Sequence, residues 1–235
     1  MANKKTPQVT LDKSPASDQA AETKTTPKKK TPVSGLKTGS KATAVKAAPP
    51  RRVPLYAFSI ELKDIKPRIW RKFFVPSNIS LQEFNEVIFT VMGWDGYHLS
   101  IFNIGGEQYG DTEDDDDFLF SKRAKSLSKK LNKLGLGKGS RFTYEYDFGD
   151  GWVHSIKLLD MDFESNRPAL KYGCYDGARA CPPEDCGGPF GYMEMLEILA
   201  DPNHEEYETM AEMVGEDFDP EAFDKVMLTE ILNNK

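Results

Sequence analysis

The sequence predicts an α+β domain: a hairpin-rich, mostly antiparallel sheet packed with helices, three of them at the C-terminal end. Three observations carry this. Alternating apolar residues with turn signals fill most of the body, helical periodicity gathers at its end, and no βαβ alternation lies between them.

The elements follow in order. In LYAFSIELKDIKPRIWRKFFVP (55–76), Tyr56, Phe58, Ile60 and Leu62 alternate with smaller or polar residues, KDIKP turns the chain, and IWRKFFV returns as a second strand. In NISLQEFNEVIFTVMGW, Ser80 and Glu83 form a capping box with Ile79 and Phe84 as its staple. Leu81, Phe84, Val87, Ile88 and Val91 share one helical face, and Gly93 stands at the C-cap. YHLSIFNIGGEQYG (97–110) is a strand, a Gly-Gly turn and a short return. DTEDDDD (111–117) lacks the ligand spacing of a calcium loop and reads as a solvated acidic loop. Between Lys122 and Lys133 the spacing of Ala124, Leu127, Leu131 and Leu134 predicts a small basic helix. SRFTYEYDFGDGWVHSIKLLDM (140–161) is a hairpin with an Asp-Gly turn. A two-residue loop at Asp150-Gly151 sets Asp147 opposite His154, with Phe142, Tyr144, Tyr146 and Phe148 on the core face; a longer loop around Gly149 breaks that register. Beyond a Cys-bearing loop, the first closing helix spans about 190–200. Asp201-Pro202 and Asp219-Pro220 read as openings of the next two, with Gly215 between them.

Charge divides the chain. Residues 1–52 hold 12 Lys+Arg against 3 Asp+Glu and no aromatic residue, whereas the whole chain has 31 against 37. A segment with so little apolar surface cannot offset its own ordering entropy, so a disordered basic tail is expected, followed by a single domain over 53–235. Lys28, Lys29, Lys30, Arg51 and Arg52 are its candidate contacts to nucleic acid, through phosphate neutralisation. The acidic body suits a protein partner. No apolar run reaches the length of a membrane span and no secretory h-region is present, so a cytoplasmic protein with reduced cysteines is expected.

KPRIWRKFFVP, SLQEFNEVIFTVMGWDGYHLSIF, YEYDFGDGWVH, CYDGARACPPEDCGGPFGY and DPEAF occur in that order. Over about 53–232 the chain thereby resembles the plasmid pRiA4b ORF-3-like family. Some members of that family carry the label of TnpR passenger proteins of insertion elements. The resemblance implies an α+β domain linked to mobile elements and no stated biochemical activity. The chain has no serine-recombinase arrangement of nucleophile and arginines, so a resolvase is not implied.

Two constellations carry candidate chemistry. His154 with Cys174, Cys181 and Cys186 offers the four soft or borderline ligands of a tetrahedral zinc site, although the spacing is not that of a paired knuckle. Packed, inert thiols are the alternative. Asp147, Asp150, Glu184 and Asp185 with His154 offer carboxylates and an imidazole for metal-assisted or general acid–base attack on a phosphodiester. Against this, Asp150 serves its turn, Asp147 pairs with His154 across the hairpin, and Glu184-Asp185 caps the following helix. CPPEDCGG (181–188) is most economically a rigid corner, stiffened by two prolines and bent by two glycines. Trp70, Trp94 and Trp152 read as packing anchors. The function that follows from these readings is a non-catalytic binding or adaptor domain, with a metal-dependent phosphodiester hydrolase or a structural zinc protein as alternatives.

Overall fold

The computed structural model describes residues 52–110, 124–215 and 217–234. Lys28, Lys29, Lys30, Arg51 and the acidic run 111–117 lie outside them. Arg52 is described and forms an exposed ion pair with Asp162 at 2.7 Å.

Seven strands form one antiparallel sheet: β1 (Leu55–Leu62), β2 (Trp70–Pro76), β3 (Ser100–Ile104), β4 (Glu107–Gly110), β5 (Arg141–Tyr146), β6 (Trp152–Asp160) and β7 (Gly173–Ala178). Their spatial order is β4-β3-β5-β6-β1-β2-β7. Three local hairpins account for β1/β2, β3/β4 and β5/β6, and longer connections stitch them together. Strand β7 occupies the stretch expected to be a Cys-bearing loop; it pairs along β2 and covers that edge.

The helices are α1 (Leu81–Met92), α2 (Gly188–Leu199), α3 (Tyr207–Val214) and α4 (Lys225–Asn233). The expected capping box of α1 is present, with the Ser80 hydroxyl accepting from the Glu83 N–H, and Gly93 ends the helix in the left-handed region. Its apolar face buries Phe84 against Phe58, Phe73 and Phe102, with ring centroids 4.9–5.9 Å apart. These rings, Tyr144 and Tyr146 form the centre of the core. Trp94 and Trp152 are buried within it, as expected of packing anchors. No helix among the described residues is long and apolar enough to cross a membrane.

The predicted basic helix is not a helix over its described part. Residues 124–134 bridge to Tyr109 at Lys125 and to Ser80 at Lys130, and close with one 3-10 turn, Leu131–Lys133. The carbonyls of Leu127 and Lys129 instead accept from Gln82 and Leu81, meeting orphan donors in the first turn of α1. Helical carbonyls would not be available for that role. The last two helices also start later than their Asp-Pro signals. Asp201 and Asp219 close turns by accepting from Asn203 and Glu221, and the N-cap of α4 is Asp224.

Candidate metal centre

The β5/β6 hairpin has a five-residue loop, because Tyr146 pairs with Trp152 and Tyr144 with His154. Asp147 is in the left-handed region at φ 55°; its carbonyl accepts from Gly151 and its Oδ1 from Gly149. This is the longer loop around Gly149, and it undoes the expected Asp147–His154 pairing. His154 joins Tyr144 on the core face with no exposed surface, and its Nε2 accepts from Trp94 Nε1 at 3.4 Å. Burial lowers its pKa to about 4. Phe148 leaves the core and is 40% exposed.

The proposed zinc tetrad is not assembled. Among the described residues, the only three potential metal ligands with atoms mutually within 4.8 Å are His98, Asp147 and Asp185. Cys174, Cys181 and Cys186 lie apart from His154 in role and place. Arg71 sits close enough to Cys174 and Cys181 to act on both thiols, and its guanidinium donates to the carbonyls of Val91, Trp70 and Ala178. Burial raises the Cys174 thiol to about 11 and the Cys186 thiol to about 12, and it pushes Cys181 well above its usual value. All three stay protonated and suit packing rather than reactivity.

The carboxylates do converge, around a different imidazole. The Asp147 N–H donates to the Leu99 carbonyl, continuing the β3/β5 pairing past Ser100 and Tyr146. That register brings His98 beside Asp147. The 181–188 bend then folds over both, fastened by Asp150 Oδ2, which accepts from the Gly187 N–H at 3.1 Å. Asp150 therefore positions the bend and does not join the cluster. Nor do Glu184 and Asp185 cap α2, whose N-cap is Gly187.

His98 Nε2 stands 3.2 Å from Asp185 Oδ1, 3.6 Å from Asp147 Oδ2 and 3.9 Å from Glu184 Oε2. His98 Nε2 and Glu184 Oε2 are buried without a hydrogen-bond partner. Ligands bound at about 2.1 Å to one metal ion stand about 3.0–3.4 Å from their neighbours; the Asp185 distance lies in that range and the other two are longer. Outer contacts hold the ligands in place. Tyr146 OH donates to Glu184 Oε1 at 2.9 Å, and the Asp95 N–H donates to the same oxygen at 2.8 Å, leaving Oε2 to face His98. Burial first, then this hydrogen bond, holds the Tyr146 phenol well above its usual pKa, so it remains a donor. Tyr97 OH donates to Asp185 Oδ2 at 3.0 Å. The side chains of Asp147 and Glu184 are 9% and 12% exposed but that of Asp185 is 67% exposed, so the cluster opens to solvent on the Asp185 side.

His98 was not among the candidate residues. It lies on the lead-in to β3, and only the long-range β3/β5 pairing makes it a neighbour of Asp147; no local spacing signals this. Two larger clefts, about 770 Å³ beside Arg52 and Tyr172 and about 870 Å³ beside Leu196 and Phe218, include none of the cluster residues.

An antiparallel seven-stranded α+β domain with an imidazole–carboxylate cluster at the end of its sheet is the class this architecture defines. The sequence model for Plasmid pRiA4b ORF-3-like protein matches residues 54–226, and the chain belongs to that family. It is similar to uncharacterized protein y4hQ of Sinorhizobium fredii, at 37% identity over 169 residues, 69% of this chain and 82% of that protein. Among solved structures it is similar to the protein of unknown function MM3350 from Methanosarcina mazei Go1. That likeness has a TM-score of 0.62 and 35% identity, covering 74% of this chain and 96% of the other.

Proposed function

We propose that the domain binds one divalent cation through His98, Asp147 and Asp185, with Glu184 beside them, and that the bound ion activates water for hydrolysis. The observation that carries this reading is the set His98, Asp147 and Asp185, whose ligand atoms lie mutually within 4.8 Å, with His98 Nε2 buried and without a hydrogen-bond partner. Leaving such an atom unpaired is costly, and a cation would satisfy it together with the two carboxylates. One imidazole with carboxylates suits manganese, iron(II) or zinc. Asp147, Asp185 and His98 are the candidate ligands, set by the hairpin, the bend and the lead-in to β3. Glu184, whose Oε2 faces His98 at 3.9 Å, would take a proton from water on the ion.

Titrating the full-length protein with Mn²⁺ or Zn²⁺ by calorimetry tests the proposal. One ion per chain is expected. His98→Ala or Asp147→Asn is expected to weaken binding about 100-fold or more, and Tyr146→Phe, which loosens Glu184 and frees the Gly96 N–H, about tenfold. Cys174→Ser is expected to leave the affinity unchanged. Metal binding that follows the cysteines would refute the assignment.

The binding-domain reading retains one supporting observation, the concentration of 12 Lys+Arg in residues 1–52. It predicts that the full-length chain binds duplex DNA weakly, with affinity falling steeply as salt rises. Replacing Lys28, Lys29 and Lys30 with alanine should flatten the log–log salt slope by about 2–3. An unchanged slope removes the tail from that role.

A further inference from the structure

We infer that the pocket beside Asp185 takes a small amine or guanidinium compound with an apolar body, not a phosphate ester. This deepens the metal-centre reading by naming the class of substrate, and it rests on that reading for the pocket's place in a reaction. The pocket encloses about 310 Å³. Asp185 belongs both to its wall and to the cluster around His98, so the pocket adjoins the candidate metal position.

Its lining has two characters. Met195, Met210 and Met213 supply a polarizable, adaptable apolar surface, of which Met195 is buried and Met213 is 48% exposed. Asp185, Glu194 and Glu206 supply three carboxylates, and no Lys or Arg lines the pocket. The surrounding sequence is equally one-sided. Between Arg179 and Lys225 there are 14 Asp+Glu and no Lys or Arg. Among the described residues, no Lys or Arg is hydrogen-bonded or ion-paired to Asp147, Glu184 or Asp185.

A phosphodiester needs cations to meet the charge that develops on its oxygens. Here the charge of a single divalent ion would already be met by Asp147 and Asp185, with Glu184 beside them and further acids along the approach. The same field attracts an ammonium or guanidinium group, whose hydrocarbon body the methionines can cover. A pocket of this volume sits at the small end of ligand sites, which suits a single short chain. A metal-bound water beside it would then act on an amide or ester carried by that cationic compound. The acyl–nitrogen or acyl–oxygen bond breaks, a new acyl–oxygen bond forms from water, and the departing group takes the water's proton.

Calorimetry on the full-length protein with hexylamine, 1-hexanol and hexyl phosphate separates charge from chain length. Hexylamine is expected to bind at least tenfold more tightly than hexanol, and hexyl phosphate not to bind measurably. Glu194→Gln with Glu206→Gln is expected to weaken hexylamine at least fivefold while leaving Mn²⁺ affinity unchanged, because neither residue touches the cluster. Equal binding of hexylamine and hexanol overturns the inference, as does tighter binding of hexyl phosphate. If hexylamine binds as expected but Mn²⁺ does not, the ligand class stands and the metal reading fails.

Discussion

Replacing Gly188 with alanine is expected to cost about 3–5 kcal/mol of folding stability, among the larger effects a single methyl group can have. Gly188 has φ 69°, where an L side chain already costs about 1–2 kcal/mol. A Cβ there would also lie 2.3 Å from the Asp150 carbonyl oxygen and 3.2 Å from its carbon, both backbone atoms that no rotamer change can move. The only relief is to part the 181–188 bend from the hairpin loop. Those two segments supply Glu184 and Asp185 on one side and Asp147 on the other, so metal affinity should fall together with stability. Gly187 is the control. It also has positive φ, 84°, but its Cβ would meet only the Gly191 Cα at 3.5 Å. Gly187→Ala should therefore cost only the conformational part, about 1–2 kcal/mol. Urea unfolding of both variants checks this. Equal losses would mean that the bend and the loop are not packed as described.

The second large effect follows from His154. With its pKa lowered from 6.5 to about 4 by burial, the folded protein keeps this ring neutral while the unfolded chain protonates it. The unfolded state thus binds the extra proton between about pH 6.5 and 4, so stability falls as pH falls through that window and levels off below it. The full depression corresponds to about 3 kcal/mol. His154→Gln removes the titration but keeps an acceptor for Trp94 Nε1. Although the variant is less stable at pH 7, its stability should drop less than that of the native protein between pH 7 and pH 4. Parallel curves would contradict the assignment. A direct check is the imidazole titration of the native protein by NMR, which should place His154 near pH 4.

Much of the fold was legible because its signals are local. The capping box at Ser80, the glycine stop at Gly93 and the alternation in 55–62 each lie within a few residues, and each is realised. The misses share a physical reason. Residues 124–134 carry helical spacing, yet their carbonyls are taken by the first turn of α1. The Asp-Gly dipeptide signals a two-residue turn, yet Asp147 adopts a left-handed conformation and opens a five-residue loop. That single change of register moved His154 from the expected acidic cluster into the core. Of the candidate carboxylates, Asp147 and Asp185 have ligand atoms within 4.8 Å of each other, because the hairpin loop and the proline-bounded bend touch at the Asp150–Gly187 hydrogen bond. The imidazole they meet was not legible, since His98 reaches them only through a strand pairing between β3 and β5 that spans more than forty residues of sequence.

Tertiary context also explains the cysteines. Their count and their prolines invite a metal site, but Cys174 and Cys181 lie near Arg71, drawn inward to satisfy three carbonyls, and Cys186 lies nearer the carboxylates of Asp150, Glu184 and Asp185. The candidate metal-binding chemistry has accordingly moved from sulfur to oxygen and nitrogen.

Crystals of the full-length protein soaked in MnCl₂, with anomalous diffraction recorded, test the central claim most directly. The account predicts one strong anomalous peak within about 2.0–2.4 Å of His98 Nε2, flanked by oxygens of Asp147 and Asp185. A clean map at that position, or a peak only at surface carboxylates elsewhere, would contradict it.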